Sequence, residues 1–136
     1  MPWQPIPETP GLNIKRLVDD PSHGFRANMW YLEAGWDGGA KSRQFGRPFY
    51  YKQAYQLSFI IAGDMNIQAY RSPTQRAEKL SLRTHSFIDR APMAIFGLAD
   101  GVVTEGGVVW IEVTYAKGTK WSDSLAPIEE PTYVGA

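Results

Sequence analysis

The clearest hydrophobic pattern in the chain lies at 64–71. In DMNIQAYR, Met65, Ile67 and Ala69 alternate with Asn66, Gln68 and Tyr70. Such alternation predicts a strand with one buried face. GGVVWIEVTYAKG at 106–118 is richer still in β-branched and aromatic residues and predicts the strongest strand. FYYKQAYQLSFIIAG at 49–63 predicts a long strand that begins polar and ends apolar, with Ala62-Gly63-Asp64 as a hairpin turn into the next strand. NIKRLVDD at 13–20, FRANMWYLEAGW at 25–36, a short stretch at 79–83 and two short strands around Pro92 follow the same logic. No stretch has the 3.6-residue period of a long amphipathic helix, and no repeat occurs. Seven to nine short strands separated by turns predict one all-β domain over 1–136, a sandwich or a barrel. Residues 1–24, rich in proline at their start, read as an extended N-terminal arm, and 119–136 as a C-terminal tail anchored by Trp121.

Composition narrows this picture. The chain has 136 residues, enough for one core. Aromatic residues make up 13 %, and the 13 glycines and 10 prolines supply the turns of a β-rich domain. Fourteen Lys plus Arg balance fourteen Asp plus Glu. A nucleic-acid surface needs a surplus of cations, so no nucleic-acid partner is expected. Without cysteine there is no thiolate nucleophile and no Cys-ligated zinc, and the composition suits a reducing compartment. MPWQPIPETPGLN is neither a signal peptide nor a membrane span, so a soluble, cytoplasmic protein without a membrane partner is the expectation. Neither a phosphate-binding loop, a dinucleotide fingerprint, a serine elbow nor a His-Glu-x-x-His pair occurs.

Candidate chemistry begins in FYYKQAYQ. Tyr50, Lys52 and Gln56 stand at even spacings and are expected on one face of a strand. Leu57, Phe59 and Ile61 then point the other way and need cover, which predicts a homodimer. Trp110 and Glu112 share a face of the 106–118 strand with Thr114, and the pattern leaves open whether that face is interior. Asn28 and Trp30 share a face of the 25–36 strand. Arg43 and Arg47 precede the 49–63 strand, where they are placed to pair with an anion. His23 and His85 both read as exposed.

The order of these elements resembles the cupins, small double-sheet jelly-roll barrels that usually hold a metal in the barrel mouth. Their first motif runs His-x-His, three or four residues, Glu, six residues, Gly. Gly63 matches its last position. Counting back puts Gln56 on the Glu and Tyr50 and Lys52 on the two His. The second motif ends Pro-x-Gly-x-x-His-x-x-x-Asn. In SFIDRAPMAIFGLADG, Met93 falls on the Gly, Phe96 on the His, Asp100 on the Asn, and Pro92 lies one place after the Pro. His85 falls on that motif's turn glycine.

The resemblance implies a cupin-like double-sheet jelly-roll barrel with a ligand cavity. It also exposes a departure, since the four metal-ligand positions hold Tyr50, Lys52, Gln56 and Phe96. An ammonium and a phenyl ring do not ligate divalent metals, so no metal and no cofactor are expected. On this frame Tyr50 and Lys52 are the candidate catalytic pair, Lys52 as base or anion clamp and Tyr50 as its partner. Gln56, Phe96, Arg47, Trp110, Glu112 and Asn28 are the candidate ligand-binding residues. The implied function is small-molecule binding, as a metal-independent isomerase, cyclase or lyase acting on an organic metabolite. The alternatives are a non-catalytic binding or sensing module and a metal-dependent oxygenase with a rearranged site.

Overall fold

Alternating burial along the longest strand sets the architecture. The computed structural model describes residues 2–20, 24–37, 49–70, 78–97, 103–116 and 128–133. Its strands are β1 (Gln4–Pro5), β2 (Leu12–Asp20), β3 (Phe25–Leu32), β4 (Trp36–Asp37), β5 (Phe49–Tyr50) and β6 (Ala54–Tyr70). They continue as β7 (Glu78–Arg83), β8 (Phe87–Arg90), β9 (Ile95–Gly97), β10 (Val103–Thr104), β11 (Val108–Ala116) and β12 (Thr132–Tyr133). All pairings are antiparallel. Among the described residues no helix is long and apolar enough to cross a membrane.

In β6, Ala54, Gln56, Ser58 and Ile60 are buried, then Met65 and Ile67. The inward parity changes between Ile60 and Met65. The hairpin expected at Ala62-Gly63-Asp64 is absent, because the strand runs unbroken for 17 residues. Instead it bends from one sheet into the other. Its first half, to Gly63, pairs with β11 on one side and β8 on the other, and its second half with β7 and β9. Val109 pairs with Ala62 but Trp110 pairs with Ile60, and the extra Ile61 makes a β-bulge. Gly63 has φ +88°, and a Cβ there would lie 2.1 Å from the Gly107 carbonyl oxygen. Only glycine satisfies both demands.

The first sheet therefore runs β1-β2-β3-β11-β6, with β8 beyond β6, and the second contains β7, the far half of β6, β9, β5 and β12. The strand expected at 13–20 forms as Leu12–Asp20 in the first sheet, paired to β3 from Leu12↔Leu32 to Asp20↔Phe25. The β4–β10 pair closes one end, with Trp36 1 % exposed and its indole N–H donating to the Pro10 carbonyl at 2.9 Å. Between the sheets pack Leu12, Leu32, Trp36, Ile60, Met65, Ile67, Leu82, Val108 and Trp110. Each such burial contributes about 1.5–3 kcal/mol.

Two non-glycine residues adopt positive φ: His85 and Met93, each at 71°. These are the two positions that the cupin pattern assigns to glycine. The Met93 N–H donates to the Tyr51 carbonyl at 2.7 Å, and the His85 N–H to the Ile60 carbonyl at 2.8 Å. The backbone keeps the turns although the side chains differ.

Candidate functional site

Strand register brings the inward side chains into rows. One row across the first sheet is Arg16, Asn28, Glu112 and Ser58, each directly opposite the next. The adjacent row is Arg26, Thr114, Gln56 and Arg90. A third, nearer the closed end, is apolar: Ile14, Trp30, Trp110 and Ile60. Trp30 and Trp110 stack at 6.2 Å and 20°.

The polar rows meet in a buried network. The Arg90 guanidinium donates from Nη1 to Gln56 Oε1 at 3.0 Å and from Nη2 to Ser58 Oγ at 2.9 Å. Its Nη1 also faces Glu112 Oε2 at 3.5 Å. Gln56 Nε2 donates to Thr114 Oγ1 at 3.1 Å and to Glu112 Oε1 at 3.3 Å. Arg90 is 9 % exposed, Gln56 4 % and Ser58 2 %. A guanidinium is tolerated at that depth because its donors meet fixed acceptors and a carboxylate.

These rows form one wall of a cavity of about 440 Å³, which Arg16, Arg26, Asn28, Trp30, Gln56, Arg90, Trp110, Glu112 and Thr114 line from the first sheet. Across it stand Met65, Ile67, Phe49 and Tyr51. Residues 128–133 cross the remaining side and contribute Glu130, Pro131 and Tyr133. A carboxylate and a short strand pairing hold that segment. Glu129 accepts the backbone N–H groups of Lys52 at 3.0 Å, Gln53 at 2.5 Å and Ala54 at 3.0 Å. Burial on its own raises the Glu129 carboxyl. The three N–H donors and the Lys52 charge outweigh it and hold the group below the ordinary glutamate range. Ile128 packs with Tyr51 and Ala54, and Tyr133 with Phe49 at 6.3 Å.

The Tyr51 phenol is pushed up to about 12, chiefly by burial and next by the Glu112 charge, with Arg26 opposing. At neutral pH it is a hydrogen-bond donor beside carboxylates.

The sequence-predicted residues divide. Gln56, Trp110, Glu112 and Asn28 line the cavity together, and the 106–118 face that carries Trp110 and Glu112 is interior. Tyr50 and Lys52 do not line it. The shared face expected for Tyr50, Lys52 and Gln56 does not form, because the chain leaves strand geometry at 51–53 between β5 and β6. Alternation does not carry across that break. Tyr51 faces the cavity instead, Tyr50 is half-buried opposite Thr132, and Lys52 is exposed. Phe96 sits in β9 opposite Phe49, at the level of the second sheet. Arg43, Arg47, Asp100, His23 and Trp121 lie outside the described residues. His85 is exposed, as expected, and stacks on Phe59 at 6.2 Å.

Sequence reasoning missed Arg90, Tyr51 and the 128–133 segment. A signal for Arg90 existed: in FIDR it shares the inward parity of Ile88. For Tyr51 and Glu129 there was none, since their placement depends on an irregular bend and a contact 75 residues away.

The fold family implies a metal in this cavity, and the residues present do not fit one. Among the described residues no three His, Cys, Asp or Glu gather. The oxygens of Gln56 and Glu112 already face a guanidinium, which places a fixed cation where a metal's ligands would converge.

No protein-family model matches the chain, and no curated protein matches it. Solved structures do. KdgF from a Halomonas species aligns with a TM-score of 0.60 at 16 % identity, covering 86 % of this chain and 87 % of that one. An RmlC-like cupin from Shewanella frigidimarina gives 0.57 at 13 %, over 86 % and 85 %. A cupin superfamily protein from Desulfitobacterium hafniense gives 0.55 at 12 %, over 80 % and 81 %.

Proposed function

Because this chain has the cupin fold, we propose that it is a small-molecule cupin whose cavity carries out metal-independent acid–base chemistry on an organic metabolite, as an isomerase, cyclase or lyase. The observation that carries the reading is the buried Arg90–Gln56–Ser58–Glu112 network on the wall of the 440 Å³ cavity. A cavity of this size, apolar with a few convergent polar groups, is the usual form of a small-ligand site. Glu112 offers a proton acceptor that Arg90 and Gln56 hold in place. Tyr51 offers a neutral donor for an oxygen on which charge develops. Lys52 and Tyr50 have no part in this reading.

The test is incubation of the purified protein with a metabolite extract, followed by NMR for consumption of a compound. Turnover that falls at least a hundredfold in both Glu112→Gln and Tyr51→Phe supports it. A compound that is retained but returned unchanged supports the second reading, a binding or sensing module. That reading is favoured by the degree to which Gln56 and Glu112 already satisfy one another.

A homodimer belongs to the same proposal. On the outer face of the first sheet Phe87 is 60 % and Phe59 40 % exposed, with Leu57, Ile111 and Val113 half-buried beside them. Sedimentation at micromolar concentration, with Phe87→Asp converting dimer to monomer, is the expected result.

A further inference from the structure

We infer that the ligand of this cavity is an uncharged, fused-ring aromatic compound, held between aromatic side chains that stand on two sides of it. This rests on the reading of the cavity as a ligand site and adds the class of compound.

The rings come first. Five of the lining side chains are aromatic, and they fall into two groups. Trp30 and Trp110 stand directly opposite each other on β3 and β11, stacked at 6.2 Å and 20°. Phe49, Tyr51 and Tyr133 stand on the other sides of the cavity. Phe49 meets Tyr51 edge-on at 6.0 Å and 90°, and Tyr133 at 6.3 Å and 58°. Each group holds its own rings in place, so a ligand need not order them. Aromatic rings prefer offset-stacked or edge-to-face contacts, and both groups offer these to a flat ligand. An apolar cavity of about 150 Å³ holds one benzene ring. The present volume of about 440 Å³ therefore suits a fused system with substituents.

Charge is the second, independent observation. Three guanidinium groups and two carboxylates line the cavity, and each guanidinium is engaged within the protein. Arg90 meets Gln56, Ser58 and Glu112. Arg16 is exposed and donates to Gln4 Oε1 at 2.8 Å. Arg26 has an interaction of its own. Glu130 is exposed and sets a negative charge against Arg16 and Arg26. With Glu112 spent on Arg90, the lining leaves little net charge for an ionic ligand to pair with. A guanidinium whose Nη groups are engaged in its own plane still offers its flat face, and an aromatic ring stacks there. The Arg90 network thus suits the same class of compound as the aromatic groups do.

The experiment titrates 2-naphthol, its saturated counterpart decahydro-2-naphthol and 2-naphthoate into the native protein. Indole N–H and Met and Ile methyl resonances are followed by NMR. Naphthol is expected to bind at least about fivefold more tightly than the saturated alcohol, the worth of two aromatic contacts. It should bind at least as tightly as naphthoate. Naphthol protons should move upfield by ring currents, and protein shifts should centre on Trp110, Met65 and Ile67. Trp30→Leu and Phe49→Leu take one ring from each group and keep apolar bulk. Each should weaken naphthol about twofold to tenfold and leave the saturated alcohol unchanged. If the saturated alcohol binds as tightly as naphthol with shifts at Trp110, the cavity reading survives and the class is overturned. Tighter binding of naphthoate than of naphthol overturns the class in the same way. If none of the three binds, the class is overturned and the metabolite-extract test decides the cavity reading. If shifts lie only at residues away from the cavity, both fall.

Discussion

The two sides of the cavity are held by different means. The first-sheet wall is made of adjacent long strands whose inward side chains bond to one another across the register, so that Gln56 alone touches Thr114, Glu112 and Arg90. The 128–133 side has two residues of strand, paired with the two of β5, apolar packing of Ile128 and Tyr133, and a carboxylate that gathers three backbone N–H groups. Losing any one bond of the wall leaves others in place. Losing Glu129 releases the segment's polar anchor in a single step. The wall is therefore built to fix charge, and the segment to be the first part that opens.

The largest effect should come from the bend that joins the two sheets. Gly63→Ala places a Cβ against the Gly107 carbonyl at a φ that L residues rarely adopt. A loss of about 3–5 kcal/mol in urea unfolding, with both sides lost together, is expected. Next is the wall itself. Arg90→Leu leaves Glu112 without its cation and should cost about 3 kcal/mol. Arg90→Leu with Glu112→Leu should recover most of that, because an apolar pair needs no partner. If the double substitution is no better than the single one, the pair is not the element that organises the wall.

These expectations also show where the sequence was legible. Strand positions followed from alternation, and Gly63 and the strands that flank it pointed to the fold. The face of Trp110 and Glu112 was decided only by two neighbouring strands, β3 and β6, whose pairing no local pattern encodes. The hairpin expected at Gly63 was a sound local reading that tertiary pairing overrode, since a glycine at positive φ serves a bend between sheets as well as a turn. The Tyr50–Lys52 pairing failed for a simpler reason. Period-two reasoning requires continuous strand, and three residues outside it reversed the faces.

Smaller again is the anchor. Glu129→Ala should cost about 1–2 kcal/mol, since the site is partly exposed and solvent replaces some of the bonds. The loss should appear as faster hydrogen exchange at Gln53 and Ala54, with the exchange of Ser58 and Glu112 unchanged. Acid should do the same to the native protein. The Glu129 carboxyl is lower in the folded chain than unfolded, so its contribution is present above the ordinary glutamate range and is lost as pH falls through the folded value. Glu129→Gln should lack this acid step. Equal acceleration at Ser58 would break the comparison between the two sides.

The smallest effect at neutral pH, under about 1 kcal/mol, is expected for Tyr51→Phe, which keeps the ring against Ala54 and Ile128. Its value is at high pH. The phenol is raised from 10.0 to about 12 by burial and by Glu112, so the folded state disfavours phenolate. Its contribution is complete below pH 10 and is lost as pH rises toward 12. Tyr51 sits where the two sides meet, its ring packed on Ile128 and its carbonyl receiving the Met93 N–H. Ionisation should therefore free the 128–133 segment before it disturbs the wall. In an alkaline titration followed by exchange and by phenolate absorbance, Gln53 and Ala54 should lose protection first, and Tyr51→Phe should delay that loss. If Ser58 and Gln53 lose protection at the same pH, Tyr51 belongs to the wall, and the cavity opens only when the whole domain does.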